Sequence, residues 1–193
     1  MSDAATARPV SPLPGDLAMW FFIFAELLVF GVFFVAYAFT RARHIELFNA
    51  SQLTLDRVSG AINTVVLITG SYCVVQAVAA VRQGLGRPCC WWLMAGLGCG
   101  AVFVAIKLVE FADKLAADIT LSTNTFYMFY LSLTFFHFLH VLLGMIILVA
   151  CAIKAWRGGY SAQDHAGVET GASYWHMVDL VWIVLFPLVY VIH

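Results

Sequence analysis

Five long uninterrupted apolar runs constrain this chain more than any other feature of it. They lie near Leu17–Thr40, Val58–Arg82, Trp91–Asp113, Thr125–Ala155 and Ala172–His193. About 30 Å of hydrocarbon takes roughly 20 helical residues to cross, and each run reaches that length. Within lipid, only a helix or a closed barrel satisfies every backbone donor and acceptor. Strands of a barrel would alternate apolar and polar residues, whereas these runs are continuous. The expectation is an all-α membrane bundle of five transmembrane helices, forming one domain over residues 1–193 after a short polar segment, 1–16. Charged residues make up 11% of the sequence, against about 25% in a typical soluble domain. A water-soluble core could not hide this much apolar surface.

The remaining composition excludes several classes. A net charge of -1 gives no electrostatic footprint for nucleic acid. Met1 to Pro14 is short and polar, with Asp3 balancing Arg8, and lacks the basic stretch and small-residue cleavage site of a signal peptide. Cys73, Cys89, Cys90, Cys99 and Cys151 form no C-x-x-C pair or haem-attachment motif, and they sit in or beside the apolar runs. There they act as small hydrophobes rather than as a disulfide framework.

The links, Arg41–Arg57, Gly84–Pro88, Asp113–Asn124 and Trp156–Gly171, are too short for a soluble domain. Five spans put the termini on opposite sides. Arg8, Arg82, Arg87, Lys154 and Arg157 fall on the N-terminal side, and Arg41, Arg43, Arg57 and Lys114 on the other. The basic-residue bias therefore favours a cytoplasmic N-terminus by a small margin.

Ionisable groups inside the runs are the functional candidates, because each is costly in hydrocarbon. Glu26 stands in the phenylalanine-rich first run, about nine residues or roughly 13 Å from its start. It reads as a proton-active or lipid-related acid, or as a neutral acid bonded to another helix. In the fourth run Thr134, His137, His140 and Gly144 fall at spacings of three and four, on one face. His137 and His140 could ligate a metal with His176, but a full ligand set is not evident. Interhelical hydrogen bonding fits them better. His176 and Asp179 share a face of the fifth run and could form a self-neutralising pair. No nucleophile motif accompanies them, so hydrolase chemistry has no support. At the end of the third run, Lys107 can snorkel toward headgroups, and Glu110 to Lys114 is a favourable helical pair. Asn63, Thr64, Thr69, Gly70, Ser71 and Gln76 give the second run a small polar surface. Asn63, Lys107 and Glu110 are the candidate lipid-headgroup contacts.

Val168-Glu169-Thr170-Gly171-Ala172-Ser173-Tyr174-Trp175-His176-Met177-Val178-Asp179-Leu180-Val181-Trp182 resembles the final-helix signature of subunit III of the haem-copper oxidases. Thr134-Phe135-Phe136-His137-Phe138-Leu139-His140-Val141 resembles that family's Thr-Gly-x-His-x-x-His-Val helix, with Phe135 in place of the glycine. Asn63-Thr64 and the acid Glu26 match in order. Pro14-Gly15-Asp16-Leu17-Ala18-Met19-Trp20 looks most like the short NorE-type branch associated with nitric oxide reductase. The family's full-length form has seven helices, so five imply a short form. The resemblance implies a non-redox accessory subunit in a bacterial inner membrane, with its C-terminus periplasmic. Such a subunit has no catalytic centre or metal of its own and sits beside a subunit I-type partner that carries haem and copper or iron. It implies bound phospholipid and support of assembly, proton uptake and sustained activity. The rival expectation is a small proton or ion transporter using Glu26 and Asp179.

Overall fold

The computed structural model describes residues 16–192. Met1 to Pro14, with Arg8, and the terminal His193 lie outside the described residues. Six α-helices follow in order: α1 (Leu17–Arg43), α2 (Ile45–Gln52), α3 (Arg57–Arg82), α4 (Gly86–Ala116), α5 (Thr125–Trp156) and α6 (Ala166–Phe186). A π-helical turn, Pro187–Val191, continues α6. Among the described residues there is no strand, and five helices are long and apolar enough to cross a membrane: α1, α3, α4, α5 and α6 with its turn. The all-α, five-span expectation holds.

Three boundaries differ from the sequence reading, each for a local reason. The Arg41–Arg57 link contains α2, an eight-residue helix whose Phe48, Ser51 and Gln52 are buried. Its apolar stretch is too short to stand out in a hydropathy pattern. The third span starts at Gly86, because Pro88 falls in the first turn of α4, where no backbone donor is required. The last span starts at Ala166. Its first turns carry Glu169 and Thr170 and therefore look like a loop.

Local chemistry ends the helices cleanly. Asp16, Asp56 and Asn124 accept backbone N–H groups at the starts of α1, α3 and α5. Two paired bonds, from Gly84 N to Val81 O and from Leu85 N to Ala80 O, close α3. This cap requires a left-handed residue, supplied by Gly84 at φ 75°. Gly158 closes α5 in the same way.

Helices α3 to α6 form the core bundle, and Trp175 of α6 is its wedge. A Cβ added at Gly70, Gly100 or Gly144 would meet the Trp175 ring at 3.5, 3.0 and 3.1 Å. Three helices thus use glycine to admit one indole, a close approach typical of helix packing in lipid. Helix α1 stands apart. Just 11% of its most apolar stretch is buried, against 56% for the last span. It touches the bundle along one stripe, where Phe22 stacks on Tyr174, Phe30 meets His140, Phe33 meets Phe136 and Tyr37 meets Phe129.

Candidate functional site

Glu26 lies on that same α1 stripe, one turn from Phe22 and one from Phe30. Its Oε2 is 3.0 Å from His140 Nε2 on α5. The other ring nitrogen, Nδ1, lies 2.7 Å from the Phe136 carbonyl oxygen. A carbonyl can only accept, so Nδ1 carries a proton. The 3.0 Å contact then holds a single proton, placed either on the carboxyl or on Nε2. Both placements leave the pair without net charge, and the one with the proton on the carboxyl also avoids taking two ions out of water. The side chains of His140 and Glu26 are 14% and 23% exposed, at the seam between α1 and the bundle.

The second polar site lies inside the bundle. Lys107 Nζ donates to Glu110 Oε2 at 2.9 Å and to the Tyr190 hydroxyl at 2.8 Å. Glu110 Oε1 accepts from Tyr130 at 2.5 Å and from Tyr190 at 2.7 Å. Both carboxylate oxygens are therefore satisfied. The ammonium also faces the rings of Trp182, Tyr190, Phe111 and Tyr130 at 5.2 to 5.8 Å, an aromatic enclosure that favours a cation. Tyr190 gets there through the π turn. Pro187 has no N–H, and the chain closes instead with a bond from Ile192 N to Pro187 O. From α2, Gln52 donates to Val189 O at 2.9 Å and fastens the turn. Glu110 lines a groove of about 390 Å³ together with Asp56, Ser59 and Asp113.

These placements correct several expectations. Lys107 does not snorkel, for it and Asn63 are wholly enclosed by protein. Neither can touch a headgroup, and Glu110 serves an internal ion pair. His137 and His140 do not act together. His140 turns to α1, whereas His137 packs against Phe103 and Trp182 at 5.6 and 5.1 Å. The His176–Asp179 pair is not formed. His176 Nδ1 lies 2.5 Å from the Ser71 hydroxyl. Ser71 also lies against Asp179, but its hydroxyl makes no bond of good geometry to either carboxyl oxygen. Glu26 and Asp179 share no hydrogen-bond partner. Sequence reasoning missed Tyr130 and Tyr190, whose hydroxyls are a weak signal inside apolar runs. It also missed the ion pair between Arg82 and Glu169, 2.8 Å across α3 and α6. Among the described residues, no group of three or more His, Cys, Asp or Glu side chains is placed to hold a metal ion.

One carboxyl outside the spans, that of Asp56, is shifted by its hydrogen bonds. The Ser59 hydroxyl donates to Asp56 at 2.5 Å. That bond first, and then the Ser59 and Val58 backbone N–H groups, hold its carboxyl below the usual value.

Comparison with known proteins shows similarity along the whole described chain. The sequence model of the family described as cytochrome c oxidase subunit III matches residues 15–193. A cytochrome c oxidase subunit 3 from Thermostichus vulcanus is 32% identical over 177 residues, 91% of this chain and 86% of the relative. One from Synechocystis sp. is 32% identical over 181 residues, 92% of this chain and 76% of the relative. A haem-copper oxidase subunit I+III from Aeropyrum pernix is 30% identical over 190 residues, which is 94% of this chain and 23% of that longer protein.

Proposed function

Because the chain belongs to the cytochrome c oxidase subunit III family, we propose that it is a non-redox accessory subunit of a respiratory haem-copper complex. The observation that carries this reading is the family match from residue 15 to residue 193. Its partner is a subunit I-type protein that holds the haem and copper or iron. The Aeropyrum protein supports that pairing, since its name joins subunits I and III in one chain. The named relatives favour an oxidase reducing oxygen. The Pro14–Trp20 motif favours the nitric-oxide-reductase branch, and it is the observation on which that second reading rests.

The chain lies in a bacterial inner membrane with its N-terminus cytoplasmic and its C-terminus periplasmic. Phospholipid lies along α1 beside its seam with the bundle, on the outer face where exposed apolar side chains such as Phe24 and Leu28 give acyl chains a surface. The Glu26–His140 pair sits at that seam and can hold or release one proton. On this reading it buffers protons for the partner and organises lipid, water and hydrogen bonds at its flank. It carries no electrons.

The test is to purify the partner complex with and without this chain. The chain-free complex should retain its haem and metal spectra, and its turnover should start lower or decay faster. Loss of a metal centre from a still-folded partner would overturn the reading. Identical turnover and identical decay would reduce the role to assembly.

A further inference from the structure

The layer of the bundle around Trp182 contains polar atoms that the protein itself does not satisfy. Trp182 is the hub of this layer. Its indole N–H donates to Thr64 Oγ1 of α3 at 2.9 Å. Phe103 of α4 and His137 of α5 each lie 5.1 Å from its ring, and Lys107 Nζ lies 5.2 Å from it. Asn63 precedes Thr64 on the interior stripe that also holds Gly60, Leu67 and Gly70, all buried.

Asn63 and His137 are fully enclosed. No protein group reaches Asn63 Oδ1 or Nδ2, or either nitrogen of His137. An ammonium has three donors, and two of Lys107's are used, by Glu110 and Tyr190. Buried polar groups in proteins are nearly always bonded, and each unpaired one carries a desolvation penalty. Four such atoms, on two helices that both border Trp182, and a spare ammonium N–H call for a partner that the protein does not supply.

The chemistry of these groups defines that partner. A neutral imidazole offers one donor and one acceptor, and an amide offers two donors and one acceptor. The occupant must therefore both donate and accept. It must also be small and uncharged, because Glu110 already balances Lys107. Water meets all of these conditions, and buried waters typically make about three bonds to otherwise unsatisfied groups.

We propose that the bundle binds water molecules in the Trp182 layer, held by Asn63, His137 and the free N–H of Lys107. This hydrated layer is independent of the Glu26–His140 pair. It adjoins the Lys107–Glu110 ion pair, so it extends the polar interior from the Glu110 groove toward the middle of the membrane. The bound water also solvates the ammonium and so lets an ion pair persist where lipid alone would not tolerate it.

The test uses the intact chain in its partner complex or in lipid nanodiscs. Infrared spectra in ordinary and 18O-labelled water should show isotope-sensitive O–H bands of internal water. Asn63→Leu and His137→Phe should each remove some of these bands, and Glu26→Gln should leave them. Both apolar variants should lower the unfolding temperature. If the layer is dry, the same changes replace unpaired polar groups and raise the unfolding temperature, and no band responds. Either of those results overturns the proposal. Should the variants fail to fold, a high-resolution density map of the wild-type chain decides. Discrete peaks within about 3 Å of His137 and Asn63 are expected, and a layer without them refutes the inference.

Discussion

At the scale of single residues, the two ionisable sites respond differently to change. Glu110 is enclosed by donors, and replacing it leaves Lys107 charged without a counter-charge. Breaking a buried pair by removing one partner costs about 3–5 kcal/mol. Glu110→Gln should destabilise the chain on that order in detergent unfolding, and the double change Lys107→Met, Glu110→Gln should recover much of the loss. Glu26 is the more accessible acid, and one form of its pair with His140 places the proton on the carboxyl. An apolar carbodiimide should therefore label Glu26 ahead of Glu110 and Asp179, read by peptide mapping. Asp179 is just 4% exposed, and three hydrogen bonds converge on Glu110. Labelling of either before Glu26 would contradict the proposed geometry. The residues themselves were legible in the sequence as costly groups in hydrocarbon, but their partners were not. Helical periodicity shows which residues share a face and is silent about the neighbouring helix. Lys107 shows the limit. A lysine near a helix end ordinarily reaches for the headgroups, and here Tyr130 and Tyr190, distant in the chain, provide a better environment inside.

At the scale of helices, glycines and caps carry the argument. A Cβ at Gly100 would fall 3.0 Å from the Trp175 ring and 3.1 Å from Met145. Trp175 is fully buried and cannot withdraw. Gly100→Val should therefore cost about 1–3 kcal/mol through overpacking, seen as a lower unfolding temperature. Asp56 caps α3, and Asp56→Ala should cost about 1 kcal/mol, the usual worth of an N-cap. Its pH dependence has a definite sign. The folded carboxyl titrates below its unfolded value, so its contribution is complete above the ordinary carboxylate range. It is lost as pH falls through the lower, folded value. Acid titration of stability should be shallower in Asp56→Ala than in the wild type. The five spans were readable because twenty apolar residues have few alternatives. Helix α2 was not readable, because tertiary contacts of Phe48 and Gln52 stabilise it rather than its own composition.

At the scale of the whole molecule, the proposed orientation makes a simple prediction. The α5–α6 loop lies on the N-terminal side and the α4–α5 loop on the other. With the N-terminus cytoplasmic, an impermeant thiol reagent added to intact cells should label Ser122→Cys and spare Ala162→Cys. The opposite pattern would reverse the orientation. Helix α5, at 32 residues, spans about 48 Å at roughly 1.5 Å per residue. That exceeds the hydrocarbon thickness, so α5 tilts or projects beyond it.

The stripe that ties α1 to the bundle also has a consequence in time. Asp16 N bonds Thr170, 154 residues later, and Glu26 meets His140, 114 residues later. A ribosome adding about 5–20 residues per second needs on the order of ten seconds to cover such an interval. An α1 that inserts as it is made spends that interval with an acid that has no His140 to share a proton with. The nascent helix must stay inserted on the strength of its own phenylalanines and valines, or be escorted by the insertion machinery until α5 arrives. The apolar excess on the outer faces of α1, which the finished bundle never covers, is what the helix requires during that wait.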